Sequence, residues 1–234
     1  MASDRNWTIA PAGDCCLIIT FGQRVDVHIN ERVHGAAQRL LQAAVPGVRD
    51  IVPAFTTVSV HYQPECFAQD GLPYDHLCRQ IEALLDIEDS RGSGLTVRTV
   101  DMPVCYGGDF GPDLPEVARL CGLTPEQVVE RHLASPHRVY MLGFLPGLPY
   151  IGGLDPQLRV PRRSKPRIRV PAGSVAIAND QTCIYPLESP GGWHLIGRTP
   201  LALFDVRRAE PCTLQPGDRV RFVPVAPADL KGSP

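Results

Sequence analysis

The stretch Val48-Arg-Asp-Ile-Val-Pro-Ala-Phe-Thr-Thr-Val-Ser-Val-His-Tyr62 decides how the first part of the chain folds. Residues 48–53 and 56–62 read as two strands joined by a short turn, because Val58 and Val60 alternate with Thr57, Ser59 and His61. A helix is predicted on either side of this hairpin. Before it, Val33, Ala36, Ala37, Leu40, Leu41 and Ala44 recur at helical spacing until Pro46-Gly47 stops them. After it, Leu77, Ile81, Leu84 and Leu85 do the same. An apolar run over residues 15–21 and a β-branched run over residues 95–100 supply the outer strands. The resulting order, βαββαβ, is the split βαβ or ferredoxin-like arrangement, an antiparallel sheet with two helices on one face.

Near residue 100 the composition shifts. Residues 1–100 hold 5 of the 24 prolines and 7 of the 21 glycines; the remainder hold 19 and 14. Asp113-Leu-Pro-Glu116 and Thr124-Pro-Glu-Gln127 both have the form of a capping box opening a helix, and Gly122 is placed to end the first. From His137 onward the apolar runs are brief and separated by proline or glycine, at residues 139–145, 174–178, 182–185, 195–197, 201–205 and 220–223. That pattern predicts an all-β barrel with long ordered loops. The expected organisation is therefore α+β: a ferredoxin-like domain over residues 1–98 and a barrel domain over residues 99–228.

Twenty-three basic and 25 acidic residues leave a net charge of -2, which argues against an obligate nucleic-acid binder. No apolar run approaches the roughly 20 residues of a membrane helix, and Pro11-Ala12-Gly13 with Asp14 interrupts any secretory signal. A cytoplasmic protein is expected, with its eight cysteines as free thiols; no Cys-x-x-Cys occurs, so no structural metal is expected. There is no Gly-x-x-x-x-Gly-Lys-[Ser/Thr] loop, no His-Glu-x-x-His and no Gly-x-Ser-x-Gly, which disfavours a self-sufficient ATPase or a serine hydrolase.

Six basic residues and no acidic one lie between Asp155 and Asp180, punctuated by Pro161, Pro166 and Pro171. The tract reads either as a solvated cationic face or as a pre-stiffened anion or partner site, in which Arg162, Arg163 and Arg167 are the forks for a carboxylate or phosphate. Ser189-Pro-Gly-Gly-Trp193 places an aromatic after two glycines, giving a pocket wall or a core plug. The loop Phe144-Leu-Pro146-Gly147, running on to Tyr150 and Gly153, reads as a shaped active-site loop or a rigid turn. Gln181, Thr182, Tyr185 and Ser174 can orient a small polar ligand or be satisfied polar groups at a barrel end. His132 and His137 read as helix surface or core.

These motifs, with Val104-Cys-Tyr-Gly-Gly108, Gly111-Pro-Asp113, Val160-Pro-Arg-Arg163, Pro171-Ala-Gly-Ser-Val175, Leu195-Ile-Gly-Arg-Thr199 and Phe204-Asp205, stand in an order that resembles the family of the 5-oxoprolinase B subunit, also called allophanate hydrolase subunit 1 or the Kip-type histidine-kinase inhibitor. The resemblance implies a cyclophilin-like β-barrel behind the ferredoxin-like domain. It also implies a polypeptide that is inactive alone and works with the C and A subunits of 5-oxoprolinase to open 5-oxo-L-proline to L-glutamate using ATP, with Mg2+. In that chemistry arginines suit a substrate carboxylate or a transferring phosphoryl group, and amides near Gly191 and Gly192 suit an oxyanion. Arg162, Arg163, Arg167, Gln181, Thr182 and Tyr185 are the expected catalytic residues. Phe144, Pro146, Gly147, Ser174, Gly191, Gly192, Trp193 and Arg198 are the expected substrate-binding ones, with no metal ligand. Asn179 and Cys183 stand where the family has glycine, and Leu148 where it has phenylalanine. The alternatives are a binding protein that inhibits a sensor histidine kinase and a carboxyltransferase or allophanate-type component, since a related barrel pair in urea carboxylase carboxylates urea.

Overall fold

In a computed structural model of the chain, which describes residues 5–67, 71–86 and 97–230, the helix before the hairpin starts where Asp26 caps it. The Asp26 carboxylate accepts from the amides of His28 and Ile29 at 2.8 and 3.2 Å. Ahead of it run two strands, β1 (Thr8–Pro11) and β2 (Cys16–Thr20); the helix itself is α1 (Val27–Ala43). Its buried face carries Val33, Ala36, Ala37 and Leu40. Ala44 leaves that face to take a left-handed cap, and Leu41 turns to solvent, 58% exposed. The hairpin forms as β3 (Val48–Pro53) and β4 (Thr57–Tyr62), followed by α2 (Pro73–Leu85), which buries Leu77, Ile81 and Leu85.

The sheet order is β1-β2-β4-β3, antiparallel throughout. The antiparallel sheet and its two helices agree with the sequence; the outer edge is filled differently. The strand expected at residues 95–100 starts at Thr99 and belongs to the second unit, while Leu95 and Thr96 lie outside the described residues. The edge beside β2, which a βαββαβ chain gives to its last strand, is taken by β1. The elements are thus ββαββα over the described residues.

The chain divides into two compact units, Met1–Thr96 and Val97–Pro234. The second opens with β5 (Thr99–Tyr106), α3 (Leu114–Cys121) and α4 (Pro125–Ala134). Thr124 and Gln127 exchange the two bonds of a capping box at the start of α4, and Gly122 ends α3 at φ 67°. Then come β6 (Arg138–Leu142), β7 (Pro149–Gly152), β8 (Arg167–Val170), β9 (Ser174–Ala178), β10 (Gln181–Ile184), β11 (Ser189–Gly191), β12 (His194–Arg198) and β13 (Arg219–Pro224). Seven of these close a barrel in the order β10-β7-β6-β13-β5-β12-β9, with β5 and β13 parallel and the other pairs antiparallel. β8 and β11 form a separate ribbon. Residues 201–205, expected as a strand, make only a bridge between Phe204 and Cys212. No helix among the described residues is long and apolar enough to cross a membrane.

Candidate active site

Alternation along the barrel strands separates two cores. Val175, Ile177, Ile184 and Ile196 point inward and pack with Met102, Val104 and Phe222. Their neighbours Ala176, Ala178, Cys183 and Leu195 point outward, where they meet Leu148, Val170, Tyr185 and Trp193. The candidate site lies on this outer wall, beneath the basic tract and the β8–β11 ribbon.

There a cavity of about 110 Å³ is lined by Phe144, Leu148, Tyr150, Arg162, Cys183, Tyr185, Pro190, Gly191, Gly192 and Trp193. Six residues expected from sequence meet in it: Phe144, Arg162, Tyr185, Gly191, Gly192 and Trp193. Trp193 is 6% exposed and stands edge-on to Tyr150, with ring centroids 6.0 Å apart, so it is both wall and core. The Arg162 guanidinium sits 5.8 Å from the Trp193 ring centroid and has no carboxylate partner among the described residues. A Cβ at Gly191 would run into the Tyr185 hydroxyl, so glycine there lets the phenol reach the cavity. Burial pushes the Tyr185 and Tyr150 phenols up, which keeps both as O–H donors, and burial likewise raises the Cys183 thiol, which makes it a poor nucleophile. Phe144 holds φ at 68° with its side chain largely exposed at the cavity, a backbone state that an aromatic residue rarely adopts.

Asp113 holds this wall together. The sequence places it as the cap of α3; instead its side chain makes no cap bond and turns into the protein, where the residue is 5% exposed. One oxygen accepts from Arg163 Nη1 at 2.8 Å and Arg167 Nη2 at 2.7 Å, the other from Arg167 Nη1 and the Leu195 amide, both at 2.7 Å. Burial alone would raise this carboxyl, but the bonds from Arg167 and the Leu195 amide, with the charges of Arg167 and Arg163, more than offset it and hold the group below its usual range. Arg163 and Arg167 are thereby tied to Asp113, and neither lines the cavity. The Arg163 amide also donates to Gly192 O at 2.8 Å, and His194 Nε2 donates to Pro161 O at 3.0 Å. The residues on either side of Arg162 and Trp193 are therefore fixed.

The other expected residues lie elsewhere. Thr182 points into the barrel, fully buried, with its Oγ1 3.2 Å from His132 Nε2; His132 Nδ1 is 2.9 Å from the Tyr106 hydroxyl. Gln181 is half-buried at the start of β10, and Ser174 is buried with its hydroxyl unpartnered. Gly147 is buried against Leu203 and Phe204, and the adjoining Pro146 is exposed. The Arg198 guanidinium lies 5.9 Å from the Phe110 ring. Asn179 takes φ 54°, which explains why a residue other than glycine serves in the β9–β10 turn. Among the described residues no group of three His, Cys, Asp or Glu side chains is arranged to hold a metal ion.

Sequence reading misses Asp113 as a site residue. Its signal is indirect: a tract of six cations with no acid requires a countercharge from elsewhere, and Asp113 closes the Gly111-Pro-Asp113 motif.

The model of the carboxyltransferase domain, subdomains C and D, matches residues 7–214. The 5-oxoprolinase B subunit of Bacillus subtilis (strain 168) is 42% identical over 228 residues, covering 95% of each chain. The 5-oxoprolinase B subunit of Escherichia coli O157:H7 is 43% identical over 213 residues, covering 91% of this chain and 93% of that one. The crystal structure of TTHA0988 superposes with a TM-score of 0.78 at 40% identity; the match covers 90% of this chain and 40% of the TTHA0988 chain. With relatives this similar along nearly their whole length, the chain belongs to the family of the 5-oxoprolinase B subunit, built on carboxyltransferase subdomains C and D.

Proposed function

We propose that the chain serves as the B subunit of an ATP-dependent 5-oxoprolinase, assembled with the A and C subunits in the cytoplasm, and that the cavity beside Arg162 holds 5-oxo-L-proline while its ring opens to L-glutamate. The observation that carries this reading is Arg162: a guanidinium with no carboxylate partner among the described residues, at a small cavity otherwise walled by aromatic and apolar side chains. A lactam carboxylate offers the paired oxygens a guanidinium fork accepts. Trp193, Tyr150 and Leu148 suit the ring methylenes, and the protonated phenols of Tyr150 and Tyr185 suit the lactam oxygen.

The lactam is a resonance-stabilised amide, so water attacks it only once its oxygen is activated; ATP, supplied with Mg2+, provides that activation in the assembled enzyme. A cavity of about 110 Å³ is below the roughly 300–1,000 Å³ of drug-sized ligand sites and does not fit a nucleotide, so it is assigned to the lactam alone. The eight free thiols suit a reducing compartment.

The test is to mix the purified chain with the A and C subunits and follow phosphate release from ATP. Release that requires 5-oxoproline is expected, and Arg162→Ala should raise the KM for the lactam roughly 10- to 100-fold, the loss of one charge-assisted bond. Lactam-independent behaviour, with suppression of a sensor kinase's autophosphorylation instead, would overturn the reading.

A further inference from the structure

A second hollow, of about 390 Å³, shares Arg162 with the lactam cavity and is lined also by Arg163, Ser164, Lys165, His194 and Glu116. Its charges do not balance. Arg163 is engaged by Asp113, but Lys165 is exposed and, like Arg162, has no carboxylate partner among the described residues. The one facing carboxylate, Glu116, is already bound by both Nε and Nη2 of Arg119, at 2.8 and 2.7 Å. His194 is 4% exposed; with Nε2–H given to Pro161 O, its Nδ1 is left without a partner.

The backbone carrying these cations is held at both ends. Pro161 and Pro166 limit its dihedrals, the Arg163 amide is bonded to Gly192 O, and the Arg163 and Arg167 side chains are bonded to Asp113. A ligand therefore meets a backbone already in place and need order only the exposed side chains of Arg162, Ser164 and Lys165, not a loop. Two cations without a carboxylate among the described residues and a hydroxyl exceed what one carboxylate uses, and they suit a tetrahedral polyanion: lysine as a point charge, arginine as a fork.

We propose that this hollow binds the phosphate groups of a small ligand through Arg162, Lys165 and the Ser164 hydroxyl. Arg162 then stands between a phosphate site and the lactam cavity. The inference goes beyond the lactam reading and does not depend on which lactam fills the cavity.

The experiment is calorimetric titration of the purified chain with ATP and, separately, with inorganic phosphate. Because the segment is fixed within this chain, saturable binding is expected without other polypeptides, weakening as salt rises. Lys165→Ala should weaken it at least tenfold. Arg169→Ala should leave it unchanged, since that exposed guanidinium pairs with Glu188 outside the hollow. Saturable binding of phosphate, with displacement of ATP by it, supports the proposal with free phosphate as a sufficient ligand, and saturable binding of ATP without that of phosphate supports it with a nucleotide as the source. Absence of saturable binding for both, or binding that Lys165→Ala does not weaken, overturns it. Lys165 is exposed, so a melting curve will show the variant folded. Lactam-dependent turnover of the assembled enzyme is a separate readout, and failure of either reading leaves the other standing.

Discussion

Thr182 and Cys183 are consecutive on β10, yet they face two polar environments of opposite kind. Inside the barrel, Thr182 belongs to a closed set: both ring nitrogens of His132 are engaged, by Thr182 and Tyr106, and the His137 ring donates to the His132 carbonyl at 2.7 Å. Outside, Cys183 and Tyr185 border a cavity whose guanidinium is left without a carboxylate. With both His132 nitrogens and the His137 Nε2 engaged within the barrel, and only His137 Nδ1 left without a partner among the described residues, the inner network is a matter of stability. A charge carried on a fixed backbone and left unmatched among the described residues makes the outer wall a place for binding.

The contrast can be broken by experiment. The largest effect is expected from Trp193→Ala, which removes a ring shared by the outer core and the cavity and should cost about 3–5 kcal/mol. A loss well below that in urea denaturation would show that the outer wall contributes little packing. Asp113→Asn comes next. It leaves two guanidiniums, each about a quarter exposed, without their countercharge and should cost about 3 kcal/mol, while also raising the KM for the lactam through a displaced Arg162. A variant with lowered stability and unchanged KM would separate Asp113 from the site.

The inner network should respond to acid. Burial holds His132 well below its ordinary value and His137 down at about 4, whereas the unfolded chain protonates both near 6.5. Stability present above that pH is therefore lost as pH falls towards 4, by up to about 3 kcal/mol for His137 alone. Denaturation midpoints taken from about pH 8 to about pH 5 should fall steadily below pH 6.5, and a flat profile would mean that the two histidines are not buried as neutral rings. The smallest effect is that of Phe144→Gly. It relieves the positive φ and should change stability by only about 1 kcal/mol, in the stabilising direction, while weakening lactam binding. Unchanged binding would assign the strain to the loop alone.

What could be read from the sequence follows from how each element is buried. α1, α2 and the 48–62 hairpin carry apolar residues at regular spacing because each presents one face to a core, whereas β9 and β12 show as apolar runs because both of their faces are buried. β1 escapes notice because it is an exposed edge with only Ile9 partly covered. β8 (Arg-Ile-Arg-Val) and β11 (Ser-Pro-Gly) are only four and three residues long, too short for an apolar period to stand out. Asp113 illustrates a deeper limit. Its Asp-Leu-Pro-Glu context matches the Thr124 context that does form a capping box, but two arginines distant in sequence compete successfully for the carboxylate. At the site, Arg162, Trp193 and Tyr185 are legible from composition and motif, whereas Thr182 goes to the wrong face, since the parity of one strand position decides between barrel interior and outer wall.

The parallel seam between β5 and β13 has a consequence for biosynthesis. Arg219 pairs with Thr99 and Pro224 with Val104, so the partner of the barrel's first strand is added by the ribosome only after about 120 further amino acids. Until then the nascent second unit has an unsealed edge at β5, whereas the sheet made from β1 to β4 already has all its strands by Tyr62. Premature termination between Tyr106 and Arg219 would release a polypeptide with a complete first sheet and a barrel that cannot shut, a ready client for chaperones and proteases.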